Sequence, residues 1–241
     1  MNTMQNINAI FKKEFRSYFN SPIAYIFITF FLGISSWLFF QTFFFANEAE
    51  LRGFFGLMPW IFLFFIPAVT MKLWAEEKKI GTAEILMTLP IRDYEVVVGK
   101  FLASFGLLAI TALFSLGLPI SVIYLGDPDG GTIVCGYIGL LLMGGAYLAI
   151  GLFASTLTEN QIIAFILGIT ICFVLLIIGT DYVLFSTPGW LYPIFSYLGL
   201  SSHYSSILRG VIDSRDIIYY LSIIGFFLYL STLSVESRKW R

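Results

Sequence analysis

Apolar residues run through this chain in long blocks, and polar residues are confined to the breaks between them. Six blocks are long enough to cross a bilayer as helices, which takes about 20 apolar residues each. They cover residues 22–45, 54–74, 96–125, 133–156, 161–180 and 217–235. The breaks differ in kind. Residues 48–52 are few and polar. Residues 71–95 form a longer break that holds the most polar stretch of the chain, EEKKIGTAEILMTLP. Residues 126–131 read GDPDGG, a turn composition. Residues 157–160 make a very short break, and residues 181–216 a long one that is only half polar. The pattern predicts an all-α polytopic membrane protein with six transmembrane helices, forming a single transmembrane domain over 1–241.

Three segments outside the spans have patterns of their own. In residues 1–20, Ile7, Ile10, Phe11, Phe15, Tyr18 and Phe19 recur at helical spacing, with Lys12, Lys13 and Arg16 off that stripe. This predicts an N-terminal interfacial amphipathic helix with a basic face. Ser21-Pro22 then reads as an N-cap and first-turn proline opening the first span. In residues 182–215, Trp190, Tyr192, Phe195, Tyr197, Leu198 and Leu200 are broken by Pro188, Gly189, Pro193 and Gly199. That segment is too broken to span and too apolar for a free loop. It predicts an interfacial or re-entrant hairpin on the outer face. In residues 75–95, Thr82 follows Gly81 and can cap a short helix, Glu84 sits in its first turn, and Pro90 stops it. Ile85, Leu86 and Leu89 form a small apolar patch, and Asp93 can cap the third span. Joining two spans needs only a few residues. A capped helix with an apolar tip therefore suggests a docking surface for a soluble partner.

Composition agrees with the pattern. The 241 residues are 58% hydrophobic and only 12% charged, half the roughly 25% of soluble domains. The mean hydropathy is +0.86. Of 14 Lys and Arg, all but Arg52, Arg209 and Arg215 fall in the N-terminal segment, around the second connection, or at the C-terminus. This positive-inside bias puts both termini and the 75–95 segment in the cytoplasm. Lys12, Lys13 and Arg16 interrupt the first apolar residues, so no signal peptide is expected. Cys135 and Cys172 lie in apolar runs and read as small buried hydrophobes. The net charge of −1 carries no sign of nucleic acid, and none is expected as a partner. Gly136, Gly139, Gly144, Gly145, Ala146, Ala149 and Gly151 make the fourth span rich in small residues. Two readings stay open there: ordinary packing within the chain, or a mobile interface lining a pathway.

Catalytic chemistry has little to work with. His203 is the single histidine, which excludes a multi-histidine metal site. Ser205 and Asp213 lie near it, without a nucleophile-elbow motif. A polar patch is the better reading of the three. Gly99-Lys100 is followed by Phe101 and has no upstream glycine, so no ATP-binding P-loop is present. The middle of every span is free of ionisable residues, Asp181 being the nearest, and this argues against a proton-coupled carrier. No catalytic, cofactor-binding or metal-ligating residue is expected.

Two stretches resemble a known family. AEEKKIGTAEILMTLPIRDYEVVVGK (75–100) resembles the signature of type-2 ATP-binding-cassette (ABC) exporter permeases, and GLFASTLTENQIIAFILG (151–168) resembles their segment between the fourth and fifth spans. The second also reads locally as a capping box, Thr158-x-x-Gln161. SSHYSSILRGVIDSRDIIYYLS (201–222) is similar to the branch associated with gliding motility and copper-site maturation. The resemblance implies that the short helix between spans two and three is a coupling helix set against a separate cytoplasmic ATPase. ATP and Mg would be bound in that partner chain. Glu76, Glu77, Gly81, Thr82, Glu84, Leu86 and Pro90 match the motif, while Ala83 stands where the family often has Leu. With Ile85 and Leu89 these form the expected ATPase-binding surface. Trp190, Tyr192, Phe195 and Tyr197 mark the outer hairpin. The family also implies a second permease copy or paralogue, and an auxiliary membrane or periplasmic subunit is a further expected partner. The resulting expectation is a permease of the bacterial inner membrane that moves an apolar or amphipathic substrate outward or transmits force. A membrane scaffold for a motility or secretion complex and a stand-alone carrier are the alternatives.

Overall fold

The computed structural model describes residues 3–46, 50–84 and 90–237. Among these residues the chain forms twelve helices and no strand. They are α1 (Thr3–Asn20), α2 (Pro22–Ala46), α3 (Arg52–Thr70), α4 (Lys72–Ile80), α5 (Asp93–Phe114), α6 (Gly117–Leu125), α7 (Gly130–Leu157), α8 (Gln161–Ile178), α9 (Asp181–Ser186), α10 (Tyr192–Leu198), α11 (Leu200–Ile207) and α12 (Ser214–Glu236). Among the described residues, six helical units are long and apolar enough to cross a membrane: Pro22–Gln41, Arg52–Ile80, Asp93–Leu125, Gly130–Leu157, Gln161–Ile178 and Ser214–Glu236. Each overlaps one of the six apolar blocks of the sequence.

Two units are jointed, which the apolar blocks do not reveal. The third breaks between α5 and α6. Pro119 has no N–H to offer the Ser115 carbonyl, and its ring would clash there in a continuous helix. That carbonyl accepts from Leu118 N–H at 3.0 Å instead, and the Ser115 hydroxyl donates to the Ala112 carbonyl at 2.7 Å. The second unit breaks at Met71, between α3 and α4.

Helix α7 is the central element. It packs against α3, α4, α5, α8, α11 and α12, and Gly136, Gly139, Gly144, Gly145, Ala146, Ala149 and Gly151 are all buried along it. The neighbours fill the space that side chains would take. The Phe55 ring lies where a Cβ on Gly136 would go, and the Thr70 hydroxyl does the same at Gly151. A Cβ on Gly144 would meet Leu108 at 2.5 Å. Packing within the chain accounts for this stripe of small residues.

Helix α1 lies along α5 and α2. Ile10 and Tyr18 of the predicted stripe are buried, and Phe11, Phe15 and Phe19 are partly buried against the core. Lys12, Lys13 and Arg16 are exposed. The stripe is therefore used mainly on the neighbouring helices. Gly99 allows the contact, since a Cβ there would meet Ile10 at 2.7 Å.

Several expected caps are placed differently. The Ser21 hydroxyl donates back to the Tyr18 carbonyl at 3.1 Å, closing α1 rather than opening α2, which begins directly after it. Asp93 is the first residue of α5, not its cap. Arg92 holds the cap position, and its N–H is taken by the Glu95 carboxylate at 3.2 Å. At α8 the cap is Asn160, which accepts from Ile162 N–H at 2.9 Å. Thr158 sits too far before the helix and reaches only Asn160 N–H, at 3.1 Å. A cap must stand immediately before the first helical residue; α5 and α8 begin at different residues from the ones their motifs implied, whereas α2 begins at Pro22 as Ser21-Pro22 implied.

The two ends of the bundle differ in charge. One end gathers α1, the end of α4, the start of α5, the turn between α7 and α8, and the end of α12, where Ser234 donates to the Thr156 carbonyl. Among the described residues it carries Lys12, Lys13, Arg16, Lys72, Lys78, Lys79, Arg92 and Lys100. The other end holds α9–α11, Arg52, Arg209 and Arg215.

The packing sets a contrast between glycines. Gly136→Ala should lower stability by about 1–3 kcal/mol through overpacking against Phe55. Gly33→Ala, at an exposed position with no atom within 4 Å, should leave it unchanged or raise it by up to about 1 kcal/mol. Denaturation of the two variants in the same micelle checks this, and equal effects would contradict the packing.

Candidate functional site

The two sequence motifs meet at the basic end. The joint between α3 and α4 is held by Ser155 of α7. In an unbroken helix the Met71 carbonyl would accept from Ala75 N–H, four residues on. Here the Ser155 hydroxyl stands between them. It donates to the Met71 carbonyl at 3.0 Å and accepts from Trp74 N–H at 3.0 Å and Ala75 N–H at 3.1 Å. A side chain inserted in the ladder is a recognised cause of a helix joint. One residue on, the Thr156 carbonyl accepts from the Lys78 amino group. Helix α4 is therefore bound to the end of α7 at two places.

Lys100 of α5 ties α4 to α1. Its side chain is 1% exposed. An ammonium has three donors, and three acceptors surround this one: Glu77 Oε1 at 2.8 Å, the Leu73 carbonyl at 2.9 Å and Glu14 Oε1 at 3.2 Å. The Trp74 ring lies 5.2 Å from the same nitrogen. Lys13 extends the pairing from the surface, 3.6 Å from Glu14 and 3.8 Å from Glu77. Beside the network is a cleft of about 250 Å³ between α1 and α4, lined in part by Lys13, Glu14, Lys72, Glu76, Glu77 and Lys100.

Further bonds fix α1 on α5. The Asn6 amide donates to Glu95 at 2.8 Å, and the Tyr18 hydroxyl meets the Ser104 hydroxyl at 2.9 Å. Burial pushes the Tyr18 phenol above the usual tyrosine range, although the Ser104 bond pulls the other way. Lys72 lies 4.9 Å over the Tyr18 ring.

The expected coupling residues divide. Glu77 is built into the Lys100 network, whereas Glu76 lines the cleft. Gly81 ends α4 at φ +80°, the left-handed conformation that glycine adopts without strain. Thr82–Glu84 begin a new helical turn, in which Ala83 is buried and Thr82 and Glu84 are exposed. The Thr82 hydroxyl donates back to the Glu77 carbonyl at 3.3 Å. Pro90 is exposed. Ile85, Leu86 and Leu89 lie outside the described residues. Sequence reading missed Lys100, Glu14 and Ser155. The signal available for Lys100 was a lone cation inside an apolar block, a residue that demands partners.

At the other end, the hairpin segment is three short helices, α9–α11. Trp190 is 75% exposed and Tyr197 63%. Tyr192 is also exposed, and Phe195 is half-buried. Gly179 and Gly199 let the backbones cross at the end of α8, each standing where the other's Cβ would be. His203 pairs with Asp216, not with Asp213 or Ser205. Asp213 caps α12 through Arg215 N–H at 2.9 Å, and Ser205 donates to the Ser202 carbonyl.

The buried network and its surface extension should differ in energy. Lys100→Ala strands two carboxylates and should cost about 3–5 kcal/mol. Lys13→Ala, which removes an exposed partner of the same carboxylates, should cost about 0–1 kcal/mol. Unfolding of both variants in micelles measures the difference. Similar losses would show that burial does not govern the pairing.

A family model described as ABC-2 family transporter protein matches residues 8–233. No curated protein matches the chain. The match takes in all six candidate spans nearly to their ends, both motifs at the basic end, and most of α1. With that coverage and that architecture, the chain belongs to the ABC-2 family of transporters, as a multi-pass permease subunit.

Proposed function

We propose that the basic end is cytoplasmic and that segment 81–90 is the coupling helix, the docking surface of the ABC ATPase that family membership implies. The observation that carries this reading is the arrangement at Gly81. Helix α4 stops there in a left-handed turn, a new helical turn starts at Thr82, and exposed Pro90 closes the segment. Just before it, Lys79 of α4 lines a cavity together with Glu159 and Asn160 of the turn between α7 and α8. The segment follows α4, which is tied to α1, α5 and α7. An ATPase that moved this segment would pull on α4, and the Ser155 and Lys100 contacts would carry the pull to the spans.

The rest of the reading follows from charge and composition. Positive-inside bias places both termini in the cytoplasm, and the setting is a bacterial inner membrane. ATP and Mg are bound by the partner, which hydrolyses the nucleotide. Two permease copies, or this chain and a paralogue, form the membrane unit. The hairpin aromatics around Trp190 sit at headgroup level on the outer face, as a re-entrant cap over the pathway. The cargo is apolar or amphipathic and moves outward, or force passes to an outer partner. Residues 201–222 favour the gliding-motility and copper-site-maturation branch.

Leu86→Asp tests the docking surface. A few buried anchors dominate small interfaces, and an unpaired carboxylate in one costs several kcal/mol. The variant should reach the membrane at normal levels, fail to retain the ATPase on purification, and lose ATP-dependent function. Retention of a fully active ATPase would reject segment 81–90 as the docking site and favour a scaffold or stand-alone role.

A further inference from the structure

The cleft between α1 and α4 carries a charge pattern that the Lys100 network does not complete. Three cations and three carboxylates line it: Lys13, Lys72 and Lys100, with Glu14, Glu76 and Glu77. Four of these pair with one another. Lys13 and Lys100 each lie within ion-pair distance of both Glu14 and Glu77. Lys72 and Glu76 enter no ion pair among the described residues, and both are half-buried. The Tyr18 ring stands 4.9 Å from the Lys72 nitrogen and offers it a π face, not an anion.

Lys72 and Glu76 are four residues apart on α4, so they share one face of the helix, with Cβ atoms about 5–6 Å apart. The cleft of about 250 Å³ thus presents one unmatched positive and one unmatched negative charge side by side. Ser17 of α1 lines the same space, and its hydroxyl makes no hydrogen bond among the described residues. A simple anion bound at Lys72 would be repelled by Glu76, and a simple cation at Glu76 by Lys72. A ligand that carries both signs close together satisfies both residues.

Depth in the membrane narrows the choice of zwitterion. Helix α3 has 19 residues and is about 28 Å long, close to the roughly 30 Å of the hydrocarbon core. Lys72 follows directly after the joint at Met71, which puts it at headgroup level. Phe19, next to Tyr18 on α1, packs edge-on against Tyr25 of α2. Tyr25 and Ile26 are exposed at the start of the first span. An apolar surface therefore leads from this end of the cleft toward the bilayer.

We propose that the cleft binds the phosphoethanolamine headgroup of a membrane phospholipid. The phosphate accepts from the Lys72 ammonium and the Ser17 hydroxyl, and the lipid's primary ammonium donates to Glu76. A primary ammonium has three N–H donors. The trimethylammonium of a choline headgroup has none, and a glycerol headgroup carries no cation. Charge-assisted hydrogen bonds are roughly twice as strong as neutral ones, so recognition at Glu76 separates these headgroups. The bound headgroup bridges α1 and α4 on the open side of the Lys100 pairs.

The full chain can be placed in nanodiscs of equal parts phosphatidylethanolamine, phosphatidylcholine and phosphatidylglycerol, then released for native mass spectrometry to count the lipids that stay bound. Phosphatidylethanolamine should be retained roughly tenfold over phosphatidylcholine, the discrimination expected of one charge-assisted hydrogen bond. Lys72→Ala should cut its retention by roughly tenfold. Glu76→Ala should bring the ethanolamine-to-choline ratio down to about one. Neither substitution touches the Lys100 pairs, and thermal unfolding like that of the unaltered chain checks that both variants fold. Lys12→Ala, exposed on α1 and outside the cleft, should change nothing. Glycerophosphoethanolamine, the same headgroup without chains, should fail to displace the lipid at equal concentration. Equal retention of the three lipids by the unaltered chain would overturn the site. So would retention that survives Lys72→Ala, an ethanolamine preference that survives Glu76→Ala, or displacement by the chain-free headgroup.

Discussion

A single ammonium group taken out of water fixes the geometry of the basic end. Removing such a charge from water costs several kcal/mol unless every donor is met in good geometry. Lys100 meets that condition only with Glu77 on one side, Glu14 on another and the Leu73 carbonyl on a third. Those three acceptors come from two further segments, α4 and α1. The position of α1 on the bundle and the angle of α4 are thus set by the same requirement. If either helix moved alone, a buried charge would lose a partner.

Helix α7 supplies the other half of the framework. Its buried glycines bring α3, α5, α11 and α12 close, and its last turns reach α4 through Ser155 and the Thr156 carbonyl. The joint at Met71 keeps its backbone bonds only because a hydroxyl from α7 completes them. Helix α4 lies between these two sets of contacts. A displacement of α4 would reach the rest of the bundle through the Lys100 ion pairs and through its bonds to the end of α7.

The spans were legible because membrane length and apolar blocks share one scale. The jointed units were harder to see. Hydropathy does not register the loss of a single N–H at Pro119, although the residue itself was plain in the sequence. The caps of α5 and α8 were read at the right turns but shifted by one or two positions, because a cap depends on where the first helical residue falls. Of the expected coupling segment, the helical start at Thr82 was read from local chemistry, while helix α4 before it and its left-handed end at Gly81 were not. Nor were the contacts of Glu77, since its partners lie in α1 and α5, far off in sequence. The same limit hid Asp216 as the partner of His203. Asp213 is nearer along the chain, but it is occupied in capping α12.

The account stands or falls on whether α1 and α4 move as one body. Spin labels at Lys12→Cys and Lys79→Cys, both exposed positions, can be placed on a background lacking Cys135 and Cys172. Pulsed dipolar spectroscopy of the complex with its ATPase then gives the distance between α1 and α4 with and without ATP. The expected result is a distance within one chain that ATP leaves unchanged. A change in the α1–α4 distance on ATP binding would contradict the account, because the Lys100 network would then not hold the two helices together.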